Sequence, residues 1–212
     1  MKQMPKPNYQ LELDRTLQKL SLANKRPSLL LHACCAPCSS YVLEYLTQYF
    51  DITVFYYNPN ISPENEYLHR VSEIKRLISE MCPSVNFIEG RYEPEKFYEM
   101  AKGLENEPER GARCLKCYRM RLEESAVIAK ENHFDYFTTT LSISPQKDSI
   151  VLNSIGKEVS EKYDIPYLFS DFKKKGGYKR SIELSAQFHL YRQNFCGCIF
   201  SKMQSQKKCD NI

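Results

Sequence analysis

Short apolar runs that alternate with longer segments of helical periodicity constrain this chain most. Ser28-Leu-Leu-Leu-His32 is apolar on consecutive positions and too short for a helix, so it reads as a buried strand. Asp51 to Tyr57 is β-branched and aromatic, and reads as a second strand. Val85 to Ile88, Phe134 to Thr139 and Pro166 to Phe169 supply a third, fourth and fifth. Helical spacing fills the intervals. Leu13, Leu17 and Leu20 share one face, and Val42, Leu43, Leu46 and Phe50 line a helix over Ser39 to Phe50. Leu68, Val71, Ile74, Leu77, Ile78 and Met81 mark the clearest helix, Pro63 to Met81. Further helices are expected over Glu95 to Leu104, Leu115 to Lys130, Lys147 to Tyr163 and Ser181 to Arg192. Such alternation predicts one α/β domain over residues 1–212, built around a mostly parallel sheet. In open α/β sheets ligands bind beyond the C-terminal ends of the strands. His32 ends the first strand and Cys34 opens the next loop, so the cysteines that follow stand where such a fold keeps its chemistry.

A chain of 212 residues, 42% hydrophobic and 26% charged, can bury a core without covalent or metal staples. Its nine cysteines therefore need another reason. No secretory signal and no run of apolar residues long enough to span a bilayer is visible, which predicts a cytoplasmic protein without membrane contact. In a reducing compartment, clustered cysteines read as metal ligands or redox groups and not as a disulfide framework.

Three constellations stand out. His32-Ala-Cys34-Cys35-Ala-Pro-Cys38 packs three thiols into five positions, and Arg113-Cys114-Leu-Lys-Cys117 gives a CxxC. Two thiolates on such a loop reach one metal centre, and two loops complete a tetrahedral zinc site or hold an iron–sulfur cluster. The competing readings are a thioredoxin-like pair at Cys114 and Cys117, and burial of Cys34 or Cys35 as a small hydrophobe. Phe195-Cys196-Gly-Cys198 is the third. A CxC disulfide closes a strained ring suited to redox work, while two further metal ligands remain the other option. Cys82, beside Pro83, and Cys209, in a polar terminus, read as bystanders.

Other polar residues carry weaker signals. His32 either orients a thiolate or is a packed core histidine. Asn58, Asn60 and Glu64 follow a strand end, as substrate contacts or as turn residues. Thr138-Thr-Thr-Leu-Ser-Ile-Ser144 either binds an anion at a helix start or caps a helix at Ser144 with Pro145 in its first turn. The net charge of +4 is uneven: residues 173–212 hold nine Lys/Arg against Glu183 and Asp210, a basic C-terminal segment that suits a polyanion such as RNA or a solvated surface.

Taken together, these blocks resemble the QueH family, the non-cobalamin epoxyqueuosine reductases. The resemblance rests on the stretches 32–38 and 113–117, on Tyr57-Asn-Pro-Asn-Ile61, and on Thr138-Thr-Thr-Leu-Ser-Ile-Ser-Pro145. It continues through Gly177-Tyr-Lys-Arg-Ser181 and Leu190-Tyr-Arg-Gln-Asn-Phe-Cys-Gly-Cys198. It implies a Rossmann-like fold related to the adenine nucleotide α-hydrolases, and reduction of the epoxide of epoxyqueuosine at the tRNA wobble position. It also implies a [4Fe-4S] cluster on Cys34, Cys35, Cys114 and Cys117, a redox-active pair at Cys196 and Cys198, and in some members an additional iron. Cys38 is implied as a metal ligand of that second kind. The partners implied are tRNA bearing epoxyqueuosine and an external electron donor. An RNA-binding protein with a purely structural metal has no need of Cys-Gly-Cys. An ATP-dependent thiolase of similar fold needs a glycine- and serine-rich loop where this chain has Cys34-Cys35-Ala-Pro.

Overall fold

A computed structural model describes residues 7–209, with side chains to residue 206. Four parallel strands form one sheet: β1 (Ser28–His32), β2 (Asp51–Tyr56), β3 (Asn86–Glu89) and β4 (Tyr136–Thr139), in the order β3-β2-β1-β4. The architecture is α/β and Rossmann-like, as the sequence implies. β1 is central. Its register runs from Ser28 opposite Asp51 to His32 opposite Phe55 on one side, and from Leu29 opposite Tyr136 to His32 opposite Thr139 on the other.

Side chains alternate across a strand, and this sorts the core into two layers. Leu29, Leu31, Ile52, Val54 and Tyr56 face α1 (Tyr9–Leu22), α2 (Ala36–Leu46) and α3 (Glu64–Met81). Leu30, Phe55 and Phe137 face α5 (Ala112–Glu131) and α6 (Ser149–Tyr163). Leu29, Leu30 and Leu31 are fully buried, each contributing about 1.5–3 kcal/mol relative to exposure. The remaining helices are α4 (Pro94–Ala101), α7 (Gly177–Gln187) and α8 (Ile199–Cys209). No helix among the described residues is long and apolar enough to cross a membrane.

Several sequence expectations need correction. Pro166 to Phe169 is not a strand: it makes one isolated bridge, Tyr167 to Phe137, beyond the sheet edge. α2 begins at Ala36 and not at Ser39, because Pro37 fits the first helical turn, where its missing N–H costs nothing. α6 is capped by Asp148, whose side chain accepts from the Ile150 amide, and not by Ser144. Thr140–Ile143 instead forms a 3-10 turn. Leu68, placed on an apolar face by periodicity, is 55% exposed, and Leu115, where the helix to Lys130 is expected to begin, is 39% exposed.

Candidate metal and thiol centre

The site lies beyond the C-terminal end of β1. Cys34 and Cys35 occupy the turn from β1 to α2, with Cys35 extended at the helix N-cap, and Cys38 sits in the first turn. The three sulfurs lie within 4.8 Å of one another, and Cys34 Sγ is 3.8 Å from Cys35 Sγ. This group can hold a metal ion. Two residues fix the turn, Asn58 and Thr140. Asn58 Nδ2 donates to the Ala33 carbonyl at 2.9 Å, the Cys34 amide donates to Thr140 Oγ1 at 3.3 Å, and the Thr140 hydroxyl lies 3.5 Å from Cys34 Sγ.

Within this nest of three thiols the anionic form is favoured at Cys34. Cys35 and Cys38 direct their thiols at Cys34 and lower its pKa well below the usual thiol range, with Lys147 and Arg121 adding to the effect. For the same reason Cys35 is raised to about 11, and Cys38 is raised as well. Burial alone would lower Lys147, yet facing Cys196, Tyr118, Cys34 and Cys38 it is raised and stays charged.

A cavity of about 410 Å³ opens over this nest, lined by Cys34, Cys35, Cys38, Arg70, Lys147 and Cys196 among others. A smaller chamber of about 20 Å³ adjoins it, lined by Cys114, Cys117, Cys196, Cys198, Asn60 and Arg113. Cys196, together with Glu109 and Ser201, forms the wall common to both and is the cysteine they share, and seven of the chain's nine cysteines surround the pair of chambers. Cys114 and Cys117 stand in the first two turns of α5, outside the three-sulfur nest. Burial raises Cys114, pushes Cys117 up to about 12 and pushes Cys198 up to about 11. Cys196 and Cys198 are both free thiols.

This donor set suits a soft, sulfur-rich centre: thiolates select iron–sulfur clusters or zinc over hard cations. The walls also carry buried polar atoms without a protein partner, Arg70 Nη2, Asn60 Oδ1, Arg113 Nε and Gln193 Oε1. Buried polar groups are ordinarily paired, so these atoms mark a space built for an occupant.

Sequence reasoning missed the cations of the site. Arg121, fully buried on α5, donates to Asn58 Oδ1 and lies 3.3 Å from His32 Nε2. Arg70 on α3 is 2% exposed. Their one signal was position, since Arg70 adjoins Val71 and Arg121 adjoins Leu122 on apolar stripes. His32 takes the structural reading. Buried and neutral, its pKa is lowered to about 3 by burial and then by Arg121, and it packs between Thr139 Oγ1 at 2.9 Å and the Tyr57 carbonyl at 3.1 Å.

Asn58 and Asn60 line the chambers, while Glu64 is exposed in the first turn of α3. The hydroxyls of Thr138, Thr139, Thr140 and Ser142 are engaged with protein partners, while Leu141, Ile143 and Ser144 of the same stretch line the larger cavity. Cys82 lines neither chamber and packs against the main core. The side chain of Cys209 lies outside those described. In the basic segment, Lys173, Lys175 and Arg180 pair with Asp171, Asp14 and Glu44, whereas Lys174, Lys179 and Arg192 are exposed.

Comparison with known proteins agrees with this geometry. The family model described as Epoxyqueuosine reductase QueH matches residues 29–204. The chain is 44% identical over 203 residues to the protein named Epoxyqueuosine reductase QueH from Staphylococcus epidermidis, covering 93% of this chain and 85% of that one. To the protein of the same name from Streptococcus pyogenes it is 44% identical over 207 residues, covering 93% and 81%. To that from Thermotoga maritima it is 35% identical over 187 residues, covering 85% and 93%.

Proposed function

The chain belongs to the epoxyqueuosine reductase QueH family and is an oxidoreductase of that kind, and from this premise we propose how its thiols divide the reaction. Cys34, Cys35, Cys114 and Cys117 hold a [4Fe-4S] cluster, Cys38 serves an additional iron, and Cys196 with Cys198 forms the dithiol that supplies electrons. The observation that carries this reading is the position of Cys196 in the wall shared by the two chambers.

Removing the epoxide oxygen consumes two electrons and two protons and releases water, leaving an alkene in the cyclopentene ring. Oxidation of the Cys196/Cys198 dithiol to a disulfide releases two electrons and two protons, so the two half-reactions balance. An external donor of two reducing equivalents then restores the dithiol. When bound, the iron centre supplies single-electron transfer and Lewis-acid polarisation of the C–O bond.

The protein's own groups prepare the site for this. Arg121, Lys147 and Arg70 hold positive charge beside the thiols and favour their anionic forms. The larger cavity gives a base lifted out of the anticodon loop direct access to the nest. Arg192 is exposed and lines this cavity, and exposed Lys179 adjoins Tyr178, another lining residue, so both offer charge to tRNA phosphates.

The test is anaerobic iron and sulfide analysis paired with reduction of epoxyqueuosine-containing tRNA at two salt concentrations. Iron and sulfide should copurify. KM for tRNA should rise with salt, and Cys196→Ser should lose multi-turnover reduction by about a hundredfold or more. A Cys196→Ser protein with full multi-turnover activity would remove the dithiol from the mechanism.

A further inference from the structure

The segment that carries Cys196 and Cys198 has no helix or strand between α7 and α8. Its main-chain polar groups must nonetheless find partners, and many of them find α3. Residues three or four apart share a helix face, and Glu66, Arg70, Glu73 and Arg76 follow that spacing. Arg76 donates to the carbonyls of Phe188 and His189 at 3.1 and 3.4 Å. Glu73 accepts the Tyr191 amide at 2.9 Å, and Glu66 accepts the Tyr191 hydroxyl at 3.3 Å. Arg70 completes the row, donating to the Cys196 carbonyl at 3.3 Å while its Nε pairs with Glu66 at 2.7 Å.

Arg70 differs from the other three. It is 2% exposed, it lines the larger cavity, its guanidinium lies 5.4 Å from the Phe195 ring centre, and Nη2 has no partner. A Cβ at position 197 would stand 3.0 Å from Arg70 Nη1, and Gly197 has φ +117, so glycine permits both the approach and the backbone conformation there. Burial disfavours its charge, and the Glu66 carboxylate beside it supports that charge.

We propose that Arg70 is a positioning residue for the dithiol. It clamps the Phe195–Gly197 turn onto α3, so that Cys196 is held in the wall between the two chambers and Cys198 stays covered. This rests on the reading that Cys196 and Cys198 handle electrons. The clamp itself is visible without activity.

The test is differential alkylation of the anaerobic cluster-loaded protein, read cysteine by cysteine, with steady-state kinetics alongside. Arg70→Met should label Cys198 about tenfold faster than the parent, while Cys82, at the end of α3, keeps its rate. kcat should fall about a hundredfold, the scale expected of a displaced reacting group, with KM for tRNA within about twofold. Arg70→Lys keeps a buried cation but cannot serve Glu66 and the Cys196 carbonyl together with a planar fork, so it should fall between parent and Arg70→Met on both readouts.

If Arg70→Met accelerates Cys82 equally, that protein has loosened globally and Arg70→Lys decides. Faster Cys198 with unchanged Cys82 supports the clamp, and a parental Cys198 rate overturns it. Parental labelling in both variants, or a rise in KM at unchanged kcat, also overturns it. A parent protein that does not reduce epoxyqueuosine would defeat the functional reading and leave the labelling result to judge the clamp separately.

Discussion

The two thiol groups at this site are held by different means. Cys34, Cys35 and Cys38 are carried by regular structure, on the end of the central strand and the first turn of α2. Cys196 sits on an irregular turn held by Arg70 of α3, by Ser201 Oγ accepting the Cys196 amide and by the Ser62 amide donating to the Gly197 carbonyl, and Cys198 follows at the start of α8, its carbonyl accepting the Lys202 amide. A position fixed by a sheet and a helix N-terminus opens only when the core opens. A turn held by a few side-chain contacts opens locally and at lower cost. A metal nest needs fixed geometry, whereas a dithiol that must meet both an interior centre and an exterior donor needs a hinge. The contrast therefore matches the division of roles proposed for the two groups.

Substitution in the nest should give the largest effect. Cys35→Ala removes one of three sulfurs that lie within 4.8 Å of one another. Iron content and reductase activity should fall together to background, and no external reductant should restore either. Retention of iron with loss of activity alone would place Cys35 with the dithiol in function and erase the contrast. Next in size is Arg121→Met, which keeps the volume but leaves Asn58 Oδ1 buried without its donor. Such an orphaned acceptor costs about 1–3 kcal/mol. Because Asn58 also holds the Ala33 carbonyl, this variant should lower both the melting temperature and the iron content. An unchanged melting temperature with full iron loading would show that the nest does not depend on the α5 cation.

What the sequence disclosed follows the same divide. β1 was legible to the residue, because three consecutive leucines admit few other readings, and all seven site cysteines were legible from spacing. The first turn of α2 was hidden because Cys-Ala-Pro looks like a loop until proline is allowed at the start of a helix. α8 was not anticipated, since Ile199–Cys209 lacks a clear apolar stripe. The buried arginines were hidden for a general reason. A charge on an amphipathic helix reads as solvent-facing unless its partner is known, and although Glu66 is local to Arg70, the contacts that bury these arginines reach distant segments, Cys196 for Arg70 and Asn58 for Arg121. Likewise, nothing in Phe188 to Cys198 shows that its backbone partners lie more than a hundred residues earlier.

Tyr191→Phe probes the hinge most gently. It removes one hydroxyl whose bond to Glu66 is 3.3 Å long and half-exposed, and leaves both the amide bond to Glu73 and the ring contact with His69 at 4.6 Å. A single bond of this kind contributes about 0.5–1.5 kcal/mol, and a long, partly solvated one belongs at the low end. If the turn behaved like the nest, so small a loss would be spread over the whole fold and no cysteine would change its reactivity. If it opens locally, the same loss acts on a small unit. Alkylation of Cys198 should then rise about twofold while the melting temperature and the Cys82 rate stay at parental values. Equal acceleration at Cys82 would mean that the dithiol turn unfolds only with the core, and that the two thiol groups share one stability after all.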